Sequence, residues 1–314
     1  MKKSSVIAAG ILALSSAAWV PAGRAADKSI NIIMVTHGQA ADPFWAVVRN
    51  GAKVAAQQAG VHVEFRQPDT FDMTQMANLI TAAVSQHPDG LVVSVPDVDA
   101  LSGPIHKALA AGINVIATNA AAETARQVGV GLDVGQEEST AGEAAGAAMK
   151  KAGGTNALCV NQEPGNVALD HRCAGFAKAF GKSKVLPVDM DTSSTKAKIQ
   201  GALRADPTID TIIGLGAETV GEPAVSAVKA LGLTGKVRVG AFDLAPGFLQ
   251  EIRDGQALFA VDQQPYLQGY LPVMFLALKV RYGMMPASDV ASGPSLVMKD
   301  QAASVIALSG QGIR

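Results

Sequence analysis

Acidic and amide side chains, with one pair of aromatic rings, recur in this sequence where short apolar runs end. The clearest group is Asp42-Pro43-Phe44-Trp45, which follows the first such run. A hydroxyl group both donates and accepts a hydrogen bond, so carboxylates and amides together can satisfy it. Aromatic faces pack on the apolar C–H side of a sugar ring. These residue types predict a binding site for an uncharged, polyhydroxylated small molecule.

The ends of later apolar runs supply the other candidate ligand-binding residues. They are Asn119, Asp170, Arg172, Asp243 and Gln263. Weaker candidates at the same kind of position are His37, Gln39, Asp97, Glu163 and Gly216.

Several of these residues have a structural alternative. Asp97 and Glu163 can instead cap a following helix, because acids are favoured at helix N-termini. Phe44 and Trp45 can instead pack in the core at the start of a helix, and spacing alone leaves both roles open. Adjacent helical residues diverge by about 100°, so we expect at least one of the two rings to face the site.

Motifs for catalysis or metal binding do not accompany these residues. The five histidines lack the HxH and HxxxH spacings of metal sites, and the sequence has no Gly-x-Ser-x-Gly elbow. Asp42 and Asp243 could imitate the acid pair of a glycosidase, but no other part of a catalytic centre is complete. The net charge of −1 gives no nucleic-acid footprint. We expect no enzyme activity, no cofactor, no metal and no nucleic-acid partner.

The candidate residues need a fold that brings the ends of strands together. Short β-branched runs alternate with Ala-rich segments of helical period along the chain. Strands that are apolar throughout are typical of a parallel sheet covered on both faces, and their alternation with helices predicts βαβ units. About ten predicted strands, the fifth over Val128–Asp133, are too many for one sheet. We therefore predict an α/β protein of two doubly wound parallel-sheet domains, with ligand bound beyond the carboxyl ends of the strands.

The N-terminus has the pattern of a secretory signal peptide. Two lysines precede an apolar run from Val6 to Val20, and small residues lead to a cleavage site after Ala25. The run is shorter than the roughly 20 residues that a spanning helix needs, and no basic stop-transfer cluster follows it. We predict that residues 1–25 are a signal peptide and that the mature protein is periplasmic.

Two cysteines, Cys159 in a predicted strand and Cys173 on the following helix, lie in consecutive elements that should touch. In an oxidising compartment they can form a disulfide. The alternative is a pair of buried free thiols.

The chain resembles the ribose-type periplasmic sugar-binding proteins, the solute receptors of bacterial ABC transporters. The matching pieces, spread over the mature chain, are DPFW, GLVVSVPD, NVIATN, RCAGF, VGAFD and DQQP. The resemblance implies that the rings of Phe44 and Trp45 sandwich a sugar. It further implies that Asp243 binds sugar hydroxyls and that Gln263 contacts the ligand at the hinge.

The resemblance also implies two lobes joined by a three-segment hinge, which close around a ligand in the cleft between them. We place the crossings near Leu132, Gln264 and Gly293. The N-terminal lobe then comprises 26–131 and 265–292, and the C-terminal lobe comprises 132–264 and 293–314.

The sequence departs from the ribose-type pattern in ways that bear on the ligand. An Asp-Arg pair usually follows the fourth strand, where this chain has Asn119 and Ala120. The family's first sugar-binding Arg falls at Asp170, its second at Arg172, and its Asn after the eighth strand falls at Gly216. A bidentate guanidinium is therefore missing, and we do not expect ribose itself.

These features together predict a periplasmic solute-binding protein of an ABC importer. We expect a monomer that captures a small sugar or polyol and has a permease in the inner membrane as its partner. The alternative is a receptor of the same fold that presents its ligand, such as an autoinducer or a chemotaxis ligand, to a signalling protein.

Overall fold

The computed structural model describes residues 29–39, 42–120 and 122–314. The predicted signal peptide, 1–25, lies outside these ranges. Within them, no helix combines the length and the apolar character that crossing a membrane requires.

Strands and helices alternate along the described chain. The strands are β1 Asn31–Val35, β2 His62–Arg66, β3 Gly90–Val93, β4 Asn114–Thr118, β5 Asp133–Gln136, β6 Ala157–Asn161, β7 Ser183–Pro187, β8 Thr211–Gly214, β9 Arg238–Phe242, β10 Phe259–Asp262, β11 Val290–Gly293 and β12 Ser295–Met298. The helices are α1 Pro43–Ala59, α2 Met73–Val84, α3 Val98–Ala110, α4 Ala122–Gln127, α5 Glu138–Lys151, α6 Val167–Phe180, α7 Thr192–Ala205, α8 Glu222–Ala230, α9 Pro246–Arg253, α10 Pro265–Tyr282 and α11 Lys299–Gly310. A π-helical turn, Ala217–Gly221, precedes α8.

The strands form two sheets, as the count of predicted strands indicated. The first has the order β11-β5-β4-β3-β1-β2 and the second the order β12-β10-β9-β8-β6-β7. Neighbouring strands are parallel except β12, which runs antiparallel to β10. The predicted class of two doubly wound parallel-sheet domains is confirmed. We call the units built on the first and second sheets the first and second lobes.

Within the described ranges the chain passes between the two sheets three times. The passages follow β5, β10 and β11. The first lies later than the predicted crossing at Leu132, because β5 spans Asp133–Gln136 and pairs with β4 in the first sheet. The strand predicted over Val128–Asp133 is also wrong. The apolar pattern at Val128 and Val130 reflects their burial in the core of the first lobe and does not reflect pairing in a sheet.

The helices α5 and α6 of the second lobe pack closely enough to bring their backbones together. A Cβ atom on Gly142 would lie 2.2 Å from the carbonyl oxygen of Arg172, and one on Gly175 would lie 2.1 Å from that of Ser139. Only glycine leaves room for this approach. As a result, a side chain at the start of α5 can reach one on the first turns of α6.

A disulfide ties β6 to α6 in the same lobe. Cys159 and Cys173 are bonded with their Cα atoms 5.8 Å apart, within the usual range for such bridges. The bridge joins the strand and helix whose ends carry several of the candidate residues.

Candidate functional site

The carboxyl ends of the strands in both sheets face a cleft between the lobes. Two neighbouring cavities lie there and share four lining residues. The shared residues are Asp42, Phe44, Gln162 and Asp243. Because the first two come from the first lobe and the others from the second, a molecule in this space would contact both lobes.

Asp42, Phe44 and Trp45 are positioned by the start of α1. Asp42 is the N-cap residue, and its Oδ1 accepts a hydrogen bond from the backbone N–H of Phe44 at 3.0 Å. Pro43 follows at the first helical position, which favours this geometry. Phe44 is half-buried and lines both cavities, whereas Trp45 is 2% exposed and packs in the core while lining one cavity. Trp45 therefore packs in the core, whereas the ring of Phe44 keeps part of its surface open to the cleft.

Sharp turns at two strand ends direct side chains into the cleft. Asn119 after β4 has φ of +50° and Asp243 after β9 has φ of +70°. This left-handed region is uncommon for residues other than glycine, although Asn and Asp are enriched there. Such conformations often occur at ligand sites.

Gln263 is a hydrogen-bonding hub between the lobes. Its Oε1 accepts from Asn119 Nδ2 at 3.1 Å and from Gln268 Nε2 at 3.1 Å. Its Nε2 donates to Asp243 Oδ1 at 2.5 Å. Asn119 and Gln268 belong to the first lobe and Asp243 to the second, so the hub at the hinge orients groups on both sides of the cleft.

Arg172 is held by an acidic partner. Its Nε donates to Glu138 Oε2 at 2.5 Å and its Nη2 to Glu138 Oε1 at 2.9 Å, with the side chains 3% and 0% exposed. The guanidinium also lies over the ring of Phe242, 4.8 Å from its centroid, and reaches Gln263 Oε1 at 3.5 Å. The positive charge that Arg172 brings to the cleft is therefore already neutralised.

His37 and Glu163 approach each other from opposite lobes. His37 Nδ1 lies 2.8 Å from Ser94 Oγ, and its Nε2 lies 3.7 Å from Glu163 Oε2. Asn166 Nδ2 donates to the same Glu163 oxygen at 2.8 Å. The imidazole also packs edge-on against Trp45, with ring centroids 4.9 Å apart.

Burial sets the protonation of the acids in the cleft. It raises the pKa of Asp42 to about 8, that of Glu163 to about 7 and that of Asp243 to about 6. Nearby acids add to the effect at Asp42, whereas Arg172 and the hydrogen bond from Gln263 oppose it at Asp243. Burial, helped by the charge of Arg172, lowers the pKa of His37 to about 3, so the imidazole is neutral.

Not every residue predicted for the site lies in it. Asp170 is exposed on α6, outside both cavities, and accepts a hydrogen bond from Asn161 at 3.3 Å. Gln39 lines neither of the two cavities, and its carbonyl oxygen accepts a hydrogen bond from the backbone N–H of Asp42. Asp97 takes the capping role, accepting from the backbone N–H of Ala100 at 2.9 Å.

The other predicted residues lie together at the cleft. Those lining one or both cavities are His37, Asp42, Phe44, Trp45, Asn119, Glu163, Arg172, Gly216, Asp243 and Gln263. Within the described ranges, no three His, Cys, Asp or Glu side chains are arranged to hold a metal ion.

Sequence reasoning missed Glu138 and Gln268. The sequence could have indicated Gln268, because this amide stands in the otherwise mostly apolar segment PYLQGYLPVMFLAL at the start of α10. Glu138 left little signal, since an acid in the first turn of a helix is ordinary.

Comparison with known proteins agrees with the fold. The periplasmic binding protein domain family matches residues 32–283. A carbohydrate transporter of Acidothermus cellulolyticus 11B, solved in complex with myo-inositol, is 37% identical, with a TM-score of 0.86. That match covers 91% of this chain and 100% of the other.

Two further relatives are more distant in sequence. A xylose/arabinose-binding protein of Sulfolobus acidocaldarius is 27% identical over 264 residues, which cover 79% of this chain and 65% of that protein. The chain thus spans less than two thirds of that relative's length. A ribose import binding protein of Bacillus subtilis is 25% identical over 260 residues, covering 81% of this chain and 83% of that protein.

These relatives are named for transport or binding and not for catalysis, which agrees with the expectation of a protein without enzyme activity. The family match spans residues 32–283, which is most of the chain, and the two curated relatives are named for binding or importing xylose, arabinose or ribose. The chain belongs to the periplasmic binding protein domain family and, within it, to the ribose-type sugar-binding proteins.

Proposed function

We propose that this protein is the periplasmic receptor of an ABC importer and captures a small cyclic polyol or sugar between its lobes by domain closure. After export and removal of residues 1–25, the receptor acts as a monomer and delivers its ligand to a permease in the inner membrane.

The observation that carries the proposal is a cavity lined by hydrogen-bonding groups from both lobes. Asp42 approaches from one side, and Asp243 and Gln162 approach from the other. Hydroxyl groups on opposite faces of one ring could therefore pair with both lobes at once. Phe44 offers the apolar surface on which the C–H face of a ring would pack.

Contacts between the lobes support a closing motion. The backbone N–H of Val167, at the start of α6, donates to the carbonyl oxygen of Pro96 at 3.1 Å. His37 meets Glu163 and Asn166 across the same cleft. Ligand that contacts both lobes would favour this arrangement over an open one, because binding shifts the population toward the form that it contacts best.

The identity of the ligand is narrowed by the residues at the strand ends. The ribose-type arginine positions are occupied by Ala120 and Asp170, and Gly216 replaces an asparagine. The relative that is 37% identical was solved with myo-inositol. We therefore place a cyclitol such as myo-inositol ahead of ribose, xylose and arabinose.

Isothermal titration calorimetry on the mature protein tests the proposal. The panel comprises myo-inositol, scyllo-inositol, D-ribose, D-xylose, L-arabinose and D-allose. We expect one or more cyclitols to bind, with affinity at least tenfold lower in Asp243→Ala and Phe44→Ala. Asp243→Ala leaves buried partners unpaired, an effect of about 1–3 kcal/mol.

Asp72→Ala is the control for removing an acidic side chain outside the cleft. Asp72 begins α2 and accepts from the backbone N–H of Gln75 at 2.9 Å, as Asp42 does at α1, but it is exposed and outside the cleft. We expect it to bind ligand as the native protein does. Absence of binding to every compound in the panel would refute the capture of a neutral sugar or cyclitol.

A further inference from the structure

The cavities in the cleft are lined by more acidic than basic side chains. Among the described lining residues, the acids are Asp42, Glu163, Glu218 and Asp243, and the groups that can be positive are Arg172 and His37. Glu138 neutralises Arg172 through two hydrogen bonds, and His37 is held as a neutral imidazole between Ser94 and Glu163. Among the described residues that line the cleft, neither Arg172 nor His37 therefore supplies a free positive charge to pair with the acids.

The acids converge on the cleft from both lobes. Asp42 stands at the start of α1 in the first lobe, while Glu163 and Asp243 follow β6 and β9 in the second. Glu163 and Asp243 are the acids whose charge acts on Asp42 most strongly. Burial favours the protonated forms of Asp42 and Glu163; a neutral polyol would leave them protonated, whereas a buried cation would favour their ionised forms.

We infer that the cleft takes a polyol bearing a protonated amine, an aminocyclitol or amino sugar, whose ammonium group lies among Asp42, Glu163 and Asp243. This inference rests on the proposed function and specifies the chemical class of its ligand. An aliphatic amine is protonated at neutral pH, and an ammonium group has three N–H donors, one for each carboxylate.

An ammonium group would account for three features of the cleft that a neutral ligand does not explain. It would compensate charge supplied by both lobes, so that its binding energy favours contact between them. It would drive Asp42 and Glu163 to ionise, which burial alone disfavours. It would also explain why a guanidinium facing the cleft is paired with Glu138, since a free guanidinium would repel a cation.

Calorimetry with matched pairs of compounds tests the inference. The probes are scyllo-inositol against 1-amino-1-deoxy-scyllo-inositol and D-glucose against D-glucosamine, at pH 7, in buffers of different ionisation enthalpy. We expect the amine in at least one pair to bind ten or more times more tightly than its hydroxyl counterpart. We also expect release of on the order of one proton per amine bound, because buried carboxyl groups must ionise to meet the cation.

Variants identify the groups responsible. Asp42→Asn and Glu163→Gln keep the shape of the side chains and should each reduce the preference for the amine by about tenfold. Asp72→Asn, which removes an exposed acid of the first lobe outside the cleft, should leave the preference unchanged.

The outcomes separate this inference from the proposed function. Binding of the hydroxyl compounds as tightly as the amines, without proton release, would overturn the amine inference and leave the polyol receptor standing. Failure of every compound of both kinds would overturn both. The proton count comes from the native protein, so it decides the question even if a variant fails to fold.

Discussion

The buried ion pair between Glu138 and Arg172 gives the sharpest prediction. Glu138→Ala would leave the guanidinium of Arg172 without its carboxylate partner in a place where both side chains are almost fully buried. Hydrogen bonds to charged groups contribute about 1.5–3 kcal/mol each, and the variant loses the two from Arg172 and the one from Gln136 Nε2. Removing one partner of a buried pair costs about 3–5 kcal/mol. We expect the free energy of unfolding to fall by about 3–5 kcal/mol.

Urea unfolding of the mature protein, followed by circular dichroism in non-reducing buffer, measures this change. The matched control is Glu143→Ala, which breaks an ion pair between the same two helices. Glu143 accepts from Lys178 at 2.8 Å, but both side chains are exposed to solvent. We expect this control to shift the midpoint of unfolding only slightly, because exposed pairs contribute little.

A double variant separates the cost of an unpaired charge from the value of the pair. Replacing both partners, Glu138→Leu with Arg172→Met, removes the pair without leaving a buried charge. We expect it to recover much of the lost stability, since apolar replacement of buried pairs is often neutral. The reasoning would be refuted if Glu138→Ala were no less stable than Glu143→Ala.

Three further predictions concern the rings, the disulfide and the acids of the cleft. Trp45→Ala should lower the free energy of unfolding by about 3–5 kcal/mol because its ring is buried. Phe44→Ala should lower ligand affinity more than stability. Urea unfolding measures the stability of the two variants and calorimetry measures their ligand affinity, and equal losses of stability would contradict the reasoning. The double variant Cys159→Ala with Cys173→Ala should lower the free energy of unfolding by about 3 kcal/mol, because the disulfide closes a loop between residues 14 positions apart. A reductant should destabilise the native protein but not this double variant. The pKa of Asp42 is about 8 when folded and 3.8 ordinarily, so the folded state holds a proton that the unfolded state has lost, and stability should fall as pH rises from about 4 to about 8. Asp42→Asn should flatten the decline of Tm with pH, and an unchanged profile would contradict the raised pKa.

The pattern of apolar runs was enough to predict the two parallel sheets and the edge at which the polar residues meet. Strand ends come together because parallel strands share a direction, so Asn119, Asp243 and Gln263 could be placed near one cleft from their positions alone. The fifth strand was misplaced because burial in an irregular segment produces the same apolar pattern as a strand. A pattern of apolar residues indicates directly that a segment is buried, and it indicates only indirectly that the segment pairs with a neighbouring strand.

The direction of individual side chains required the folded structure. Asp170 and Arg172 are two residues apart on α6, which turns them by about 200° relative to each other, so one is exposed and the other buried. Nothing local to either residue says which way the helix faces. The pairing of Arg172 with Glu138 joins residues 34 apart in sequence, and it depends on how closely α5 and α6 pack at their glycines. Residue types and strand ends therefore predicted which polar groups gather at the cleft, whereas helix packing decided that the charge of Arg172 is paired with Glu138.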